Sequence, residues 1–193
     1  MPYMLSNFIG QNKGVDLIID VTNKVQVIES LELNKVDFAM VSVVPKKLNF
    51  ERVELMQNKL YLIAGKRGLN KANLSEKKLF EQLPLIYREM GSATRVAMEQ
   101  FIIKNKFEVR KKIELTSYEA VKQAVIAGLG FSIMPIMGLK NELMNNDTQI
   151  IPVKGRPIIT KWNLIWLKSK NYHLLLRLFL EYLRSEKEQM IIG

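Results

Sequence analysis

Apolar blocks with a period of two alternate along the chain with blocks whose apolar residues recur at helical spacing, and this alternation limits the fold more than any other feature. Residues 3–9 read as a helix, with Met4, Leu5 and Phe8 on one stripe and Gly10 as its stop. Residues 16–22, Asp-Leu-Ile-Ile-Asp-Val-Thr, read as a strand. Asn23 to Lys35 read as a helix facing inward with Val27, Ile28 and Leu31, and Asn23 with Gln26 has capping-box spacing. Phe38 to Val44 read as a buried strand cut by Pro45, and Leu60 to Ala64 as an extended stretch ending at Gly65.

The middle of the chain repeats the pattern. Ser75 to Gln82 reads as a helix and Leu85 to Arg88 as a strand. Ser92 to Lys106 follows as a helix burying Val96, Phe101 and Ile102. Lys112 to Leu115 is a strand, Ser117 to Ala127 a helix and Phe131 to Met134 a strand; Ile136 to Asn145 reads as helical and Ile150 to Val153 as extended. A strand at Trp162 to Leu167 precedes an amphipathic helix from Tyr172 to Glu186, striped by Leu175, Leu178, Phe179, Tyr182 and Leu183. Strands alternating with helices imply an α/β chain whose sheet is mainly parallel and covered on both faces.

Composition narrows the classes. At 193 residues the chain can form one sizeable domain or two small lobes sharing a core. Apolar residues at 48% and charged residues at 25% are those of an ordinary soluble protein, and the absence of cysteine removes disulfide and thiol chemistry. The first basic residue is Lys13, unlike a secretory signal, and no apolar run approaches the roughly 20 residues that span a bilayer. A cytoplasmic protein without a membrane partner is expected. The net charge of +10 invites a nucleic-acid reading, but the basic residues are scattered: Lys46/Lys47, Lys66/Arg67, Lys77/Lys78, Arg110/Lys111/Lys112 and Arg184/Lys187. No helix-turn-helix, zinc finger or arginine-rich arm is visible, so the charge reads as a solvated surface.

In sheets of this kind ligands bind beyond the carboxyl ends of strands, where loops enter helices. Three such turns carry small polar groups: Thr22-Asn23, the segment Arg88 to Arg95 with Ser92 and Thr94, and Thr116-Ser117, where Thr116 and Glu119 again have capping-box spacing. Unpaired N–H groups and partial positive charge at a helix start suit an anion, although the same hydroxyls serve equally as caps. Arg95 in a first turn opposes the helix dipole and calls for an anion, whether a ligand or Glu89. Gly91 allows a turn and a close approach. Gly128-Leu129-Gly130 follows a helix rather than a strand, which makes it a helix stop and not a nucleotide loop.

Catalytic and metal-binding patterns are poorly represented. His173 is the sole histidine, and there is no HExxH, nucleophile elbow, P-loop or metal-ligand spacing. Neither an enzyme nor a cofactor is expected.

Three stretches carry a family resemblance. Ile113-Glu114-Leu115-Thr116-Ser117-Tyr118-Glu119-Ala120, continuing through Ala127-Gly128-Leu129-Gly130-Phe131, resembles the strand, effector-contacting turn and helix of LysR-type transcriptional regulators, with their A-G-x-G stop. Val36-Asp37-Phe38-Ala39-Met40-Val41 resembles the family's xxDxAIV strand. Arg88-Glu89-Met90-Gly91-Ser92-Ala93-Thr94-Arg95 resembles a REPGSGTR segment found in several branches, including carbon-fixation regulators, with Met90 and Ala93 in place of the usual Pro and Gly. The order and spacing of the three extend the resemblance over nearly the whole chain.

The resemblance implies a type 2 periplasmic-binding-protein-like fold of two α/β lobes joined by two crossover strands. Lobe I is expected at 1–63 plus 161–193 and lobe II at 64–160, with crossovers near Ala64 and Thr160. A small anionic effector between the lobes would meet Thr22 and Asn23 from lobe I, and Arg88, Ser92, Thr94, Arg95, Thr116 and Ser117 from lobe II. A homodimer or homotetramer is implied, with DNA contacted only through an N-terminal winged helix-turn-helix absent from this chain. A transporter's solute-binding protein shares the fold and is the rival reading. The family's regulatory domain opens with a strand and a Ser/Thr-rich turn, whereas Met1-Pro2-Tyr3-Met4 aligns within the helix that follows them. The expectation is that the gap so left in the sheet closes locally or is covered by another chain.

Overall fold

A computed structural model describes residues 2–45, 50–66, 75–155, 157–169, 177–183 and 185. Two helices, α1 (Pro2–Gln11) and α2 (Lys24–Glu32), precede β1 (Ala39–Val41) and the long β2 (Phe50–Gly65). Then follow α3 (Glu76–Gln82), β3 (Leu85–Arg88), α4 (Ala93–Lys104), β4 (Lys112–Leu115), α5 (Tyr118–Ile126) and β5 (Phe131–Pro135). A 3-10 turn at Ile136–Leu139, α6 (Lys140–Met144), β6 (Thr148–Ile151) and β7 (Ile158–Leu167) complete the series, and residues 177–183 are helical. His173, most of the expected helix 172–186, and Lys46, Lys47, Arg67, Arg184 and Lys187 lie outside the described residues.

The sheet is organised around β2. Apart from the buried Asn58, its first ten residues mix half-buried and exposed side chains, whereas from Leu60 onward nearly every residue is buried. Leu60, Leu62 and Ala64 enter a core with Phe80, Phe101 and Phe131, while Ile63 on the opposite face joins Val121, Val125 and Met134. Burial on both faces arises because helices cover both sides there. The earlier half of β2 runs beside β7, from Phe50↔Leu167 to Leu60↔Ile158, with a bulge between Glu54 and Met56. Two smaller cores flank this end. One holds Leu164, Trp166, Leu180 and Leu183; the other holds Leu31, Ala39, Val41 and Ile165.

The strand order is β1-β7-β2-β5-β3-β4, with β6 also on β2. Only β3–β4 and β3–β5 are parallel; β1–β7, β2–β5, β2–β6 and β2–β7 are antiparallel. This corrects the mainly parallel sheet expected from the strand–helix alternation. A returning helix makes neighbouring strands parallel, but β2 and β7 cross the molecule in opposite directions and pair with each other.

Residues 16–22 correct a second expectation. They pair with no strand among the described residues, and Ile18 is 94% and Val21 86% exposed. An apolar extended segment becomes a strand only where a neighbour accepts its N–H and C=O groups. β1 pairs only with β7 among the described residues, so of the two expected outcomes for the gap in the sheet, local closure does not occur there. Smaller shifts follow tertiary packing. The strand expected at 38–44 shortens to three residues, the one at 162–167 begins at Ile158, and Ile136 to Asn145 divides into a 3-10 turn and a short helix. Ala97 and Met98, not Val96, join Phe101 and Ile102 in the buried face of α4.

Candidate functional site

Three parallel strands deliver their carboxyl ends to one edge. β3 runs in register with β4 from Leu85↔Lys112 to Arg88↔Leu115, and Leu85 also pairs with Phe131 of β5. The residues after Arg88, Leu115 and Pro135 therefore leave the sheet on the same side, where α4 and α5 begin. Ser117 caps α5 by accepting from Ala120 N at 3.1 Å, one position later than the Thr116 cap expected from spacing. Both Thr116 and Ser117 are exposed. Ser92, the N-cap of α4, is 4% exposed, yet its side chain caps none of the helix N–H groups. The start of α4 thus keeps donors that no side chain satisfies.

A third helix start meets this edge. Asn23 Oδ1 accepts from Val25 N at 3.0 Å and Gln26 N at 3.1 Å, which caps α2 as its spacing predicts, and Thr22 Oγ1 bonds to Gln26 Oε1. Gly91, at φ +89°, lies directly against that cap. A Cβ on Gly91 would stand 3.0 Å from Val25 Cγ2 and 3.5 Å from Asn23 Oδ1. The left-handed backbone and the close approach both account for glycine here.

The arginines are held by carboxylates that sequence alone paired differently. Arg88 donates from Nε to Glu89 Oε2 at 2.7 Å and from Nη2 to Glu89 Oε1 at 2.8 Å. Arg95, expected to meet a ligand or Glu89, instead donates to Glu99 Oε1 at 2.9 Å, to Glu114 Oε2 at 2.6 Å and to the Arg88 carbonyl at 2.9 Å. The Glu99 hydrogen bond, with the Glu114 pair adding to it against burial, raises the Arg95 pKa. Its guanidinium also lies 5.5 Å from the Tyr87 ring centroid. Burial first, and Glu99 second, push the Tyr87 hydroxyl up, with Arg95 opposing.

Arg88, Thr94 and Arg95 line a narrow pocket with an enclosed volume of about 10 Å³, room for about one water, together with Tyr118, Ser132 and Pro135. Tyr118 Oη donates to the Pro135 carbonyl at 3.5 Å, and burial pushes its pKa up to about 12. Ser132 Oγ donates to the Ile86 carbonyl at 2.7 Å. The structure thus gathers Arg88, Thr94 and Arg95 around the pocket, with Ser92 opening the helix that carries Thr94 and Arg95 and Asn23 against the turn before it. Thr116 and Ser117 do not line it. Tyr118 and Ser132 were not singled out in the sequence; the position of Tyr118 directly after Thr116-Ser117 was the available signal. Among the described residues no group of three or more His, Asp or Glu side chains could hold a metal ion, and no helix is long and apolar enough to cross a membrane.

Behind the pocket, Lys122 Nζ lies 2.8 Å from Glu142 and 2.9 Å from Glu119, joining α5 to α6. The Lys122 hydrogen bond, opposed by burial, holds Glu142 below the ordinary 4.5. A carboxylate depressed in the folded state contributes stability that is complete above its unfolded value and is lost as pH falls through the folded value. Glu142→Gln is therefore expected to cost about 1 kcal/mol at pH 7, shrinking toward zero below pH 4, as read from urea unfolding at both pH values. An equal cost at both would show that the charge is not responsible.

The family described as LysR substrate binding domain matches residues 1–188. The HTH-type transcriptional activator CmpR of Synechocystis sp. is 32% identical over 195 residues, covering 100% of this chain and 64% of that protein. The RuBisCO operon transcriptional regulator of Allochromatium vinosum is 31% identical, covering 98% of this chain and 63% of that protein. The chain thus spans less than two thirds of these relatives' length. Among solved structures, the Synechocystis PCC6803 CcmR regulatory domain in complex with 2-PG matches with a TM-score of 0.88 at 29% identity, over 98% of this chain and 91% of that one. The effector binding domain of QuiR in complex with shikimate shares the fold, with a TM-score of 0.79 at 16% identity and coverage of 97% and 90%.

Proposed function

The chain belongs to the LysR substrate-binding-domain family, and from that premise we propose that it is the effector-sensing part of a bacterial transcriptional regulator that holds a small anion between two lobes. Its α/β architecture is the periplasmic-binding-protein-like fold of that family. The lobes are taken as 1–63 plus 161–193 and 64–160. Supporting this division, β2 exchanges β7 for β5 and β6 as neighbours around Leu60.

The observation that carries the reading is the start of α4: a buried N-cap Ser92 that satisfies no helix N–H, beside an arginine-lined pocket and against the α2 cap. An anion there would accept from helix N–H groups, from Ser92 and from Arg88. Thr94 lines the same pocket, and Asn23, with Thr22 before it, lies against Gly91 in the adjoining turn, where a larger ligand would reach it. Arg95 is spent on Glu99 and Glu114 and serves to fix the pocket wall. Thr116 and Ser117, exposed at the neighbouring strand end, would meet only a ligand that extends beyond the pocket.

Regulation would follow if occupancy shifts the lobes and, through them, a DNA-binding segment outside this chain; a homodimer or homotetramer in the cytoplasm is part of the same reading. The comparisons favour this receptor over a transport protein, because the curated relatives are named as transcriptional regulators.

A thermal-shift panel of 2-PG, inorganic phosphate, sulfate and small carboxylates tests the proposal. At least one anion should raise the melting temperature. Arg88→Met should weaken its binding by about 30-fold, the value of a charge-assisted hydrogen bond. Silence across the panel, or an Arg88→Met variant that binds normally, would overturn it.

A further inference from the structure

We propose that Glu89 is a built-in stand-in for the ligand's anionic group, occupying Arg88 until a stronger anion displaces it and so setting which anions the pocket accepts. This rests on the anion-binding reading above and adds a specificity determinant to it.

The two arginines of the pocket are held in different ways. Arg95 is fixed by acceptors on three elements: Glu99 of α4, Glu114 of β4 and the last carbonyl of β3. Freeing it would require those elements to part. The side-chain partners of Arg88 are both oxygens of its sequence neighbour Glu89, in the two-pronged geometry that guanidinium offers to any carboxylate. The pair is only partly screened, at 17% and 14% side-chain exposure. Glu89 also opens the turn that contains Gly91 and Ser92, with Ser92 N donating to its carbonyl at 3.2 Å. A rotation of one side chain therefore releases the cation without moving sheet or helix.

The arrangement discriminates by charge. A ligand monocarboxylate would replace Glu89 with a group of the same chemistry while losing its own translational freedom, so the exchange has little to drive it. A tetrahedral dianion such as a phosphate monoester brings more charge to Arg88 and further oxygens for Ser92 and the free N–H groups of α4. The pocket is thus set for phosphate-like dianions over simple carboxylates.

Calorimetric titration of the whole chain with inorganic phosphate and with acetate, for wild type, Glu89→Gln and Glu108→Gln, tests this. Glu108 makes an exposed pair with Arg110 just before β4, at the opposite end of that strand from the pocket, so its variant changes net charge equally without touching the site. Glu89→Gln should bind phosphate about tenfold more tightly and acetate more tightly still, narrowing the difference between them, with Glu108→Gln unchanged. Adding Arg88→Met to Glu89→Gln should erase the gain, and melting curves of each variant identify any that fails to fold. Equal gains in Glu89→Gln and Glu108→Gln would reduce the effect to net charge and overturn the inference. Wild-type binding that Glu89→Gln leaves unchanged or weakens would overturn it while the anion-site reading stands. No anion binding in any variant would remove both.

Discussion

Gly130→Ala is expected to destabilise the protein by about 3 kcal/mol, at the upper end of overpacking costs. Gly130 lies between the end of α5 and the start of β5. A Cβ there would overlap the Pro84 carbonyl oxygen and stand 3.1 Å from the Pro84 carbonyl carbon and 3.2 Å from its Cβ. Backbone atoms cannot rotate out of the way as a long side chain can. The same Pro84 oxygen accepts from Phe131 N at 3.0 Å, so relief of the overlap must pull β5 away from the entry to β3. That junction sets the register Leu85↔Phe131 and hence where Ser132 and Pro135 stand relative to Arg88. Anion binding should weaken along with stability. Gly10→Ala supplies the contrast: it lies in α1 with nothing within 4 Å, and alanine in a helix interior is favoured by roughly 0.5–1 kcal/mol. Urea denaturation of both variants measures the difference, and a Gly130→Ala protein as stable as wild type would show that the two strands can separate freely.

Gly130 also illustrates what a sequence conceals. Its place in Gly128-Leu129-Gly130 read as the end of a helix, which holds for Gly128 at φ +81°, whereas the demand at Gly130 is for space against a residue 46 positions earlier. Elements between 75 and 134 were legible because β3 and β4 are each followed by their own helix, β3 and β5 are buried, and β4 keeps the alternation of a half-covered edge strand. At the other end of the sheet, propensity misled in both directions. Asp16 to Thr22 carries a strand's residues without a neighbour to pair with among the described residues, while Phe50 to Lys59 is a strand whose interleaved Glu51, Arg52, Glu54 and Gln57 hide its half-buried positions. The site shows the same division. Arg88, Arg95, Ser92 and Asn23 stood out because turns and helix starts are local features. The partners were less visible: Glu99, one helical turn from Arg95, was within reach of spacing arguments, but Glu114 comes from the adjacent strand and depends on register.

Phe80→Ala is expected to cost about 4 kcal/mol, within the 3–5 kcal/mol typical of emptying a buried phenylalanine site. Phe80 is fully buried, stacked on Phe107 at 4.3 Å between centroids and edge-on to Phe131 at 5.3 Å. These ring contacts add to the area term, because aromatic pairs contribute roughly 0.5–1.5 kcal/mol beyond burial. Collapse around the cavity is restricted, since Phe131 is bound on both sides by β2 and β3 and Phe107 also packs against Phe101. Phe80→Leu, which fills most of the space but loses the stacking, should retain more than half of the lost stability. In a chain of this size the alanine variant should melt about 8–16 °C lower. The consequence for binding should be smaller than for Gly130→Ala. Phe80 meets β5 at Phe131, at the end of that strand away from Pro135, and a void there leaves the register between β5 and β3 in place. Anion affinity of Phe80→Ala, measured well below its melting temperature, should therefore stay within about threefold of wild type. A loss as large as that of Gly130→Ala would mean that the pocket depends on the density of the core behind it and not on strand register.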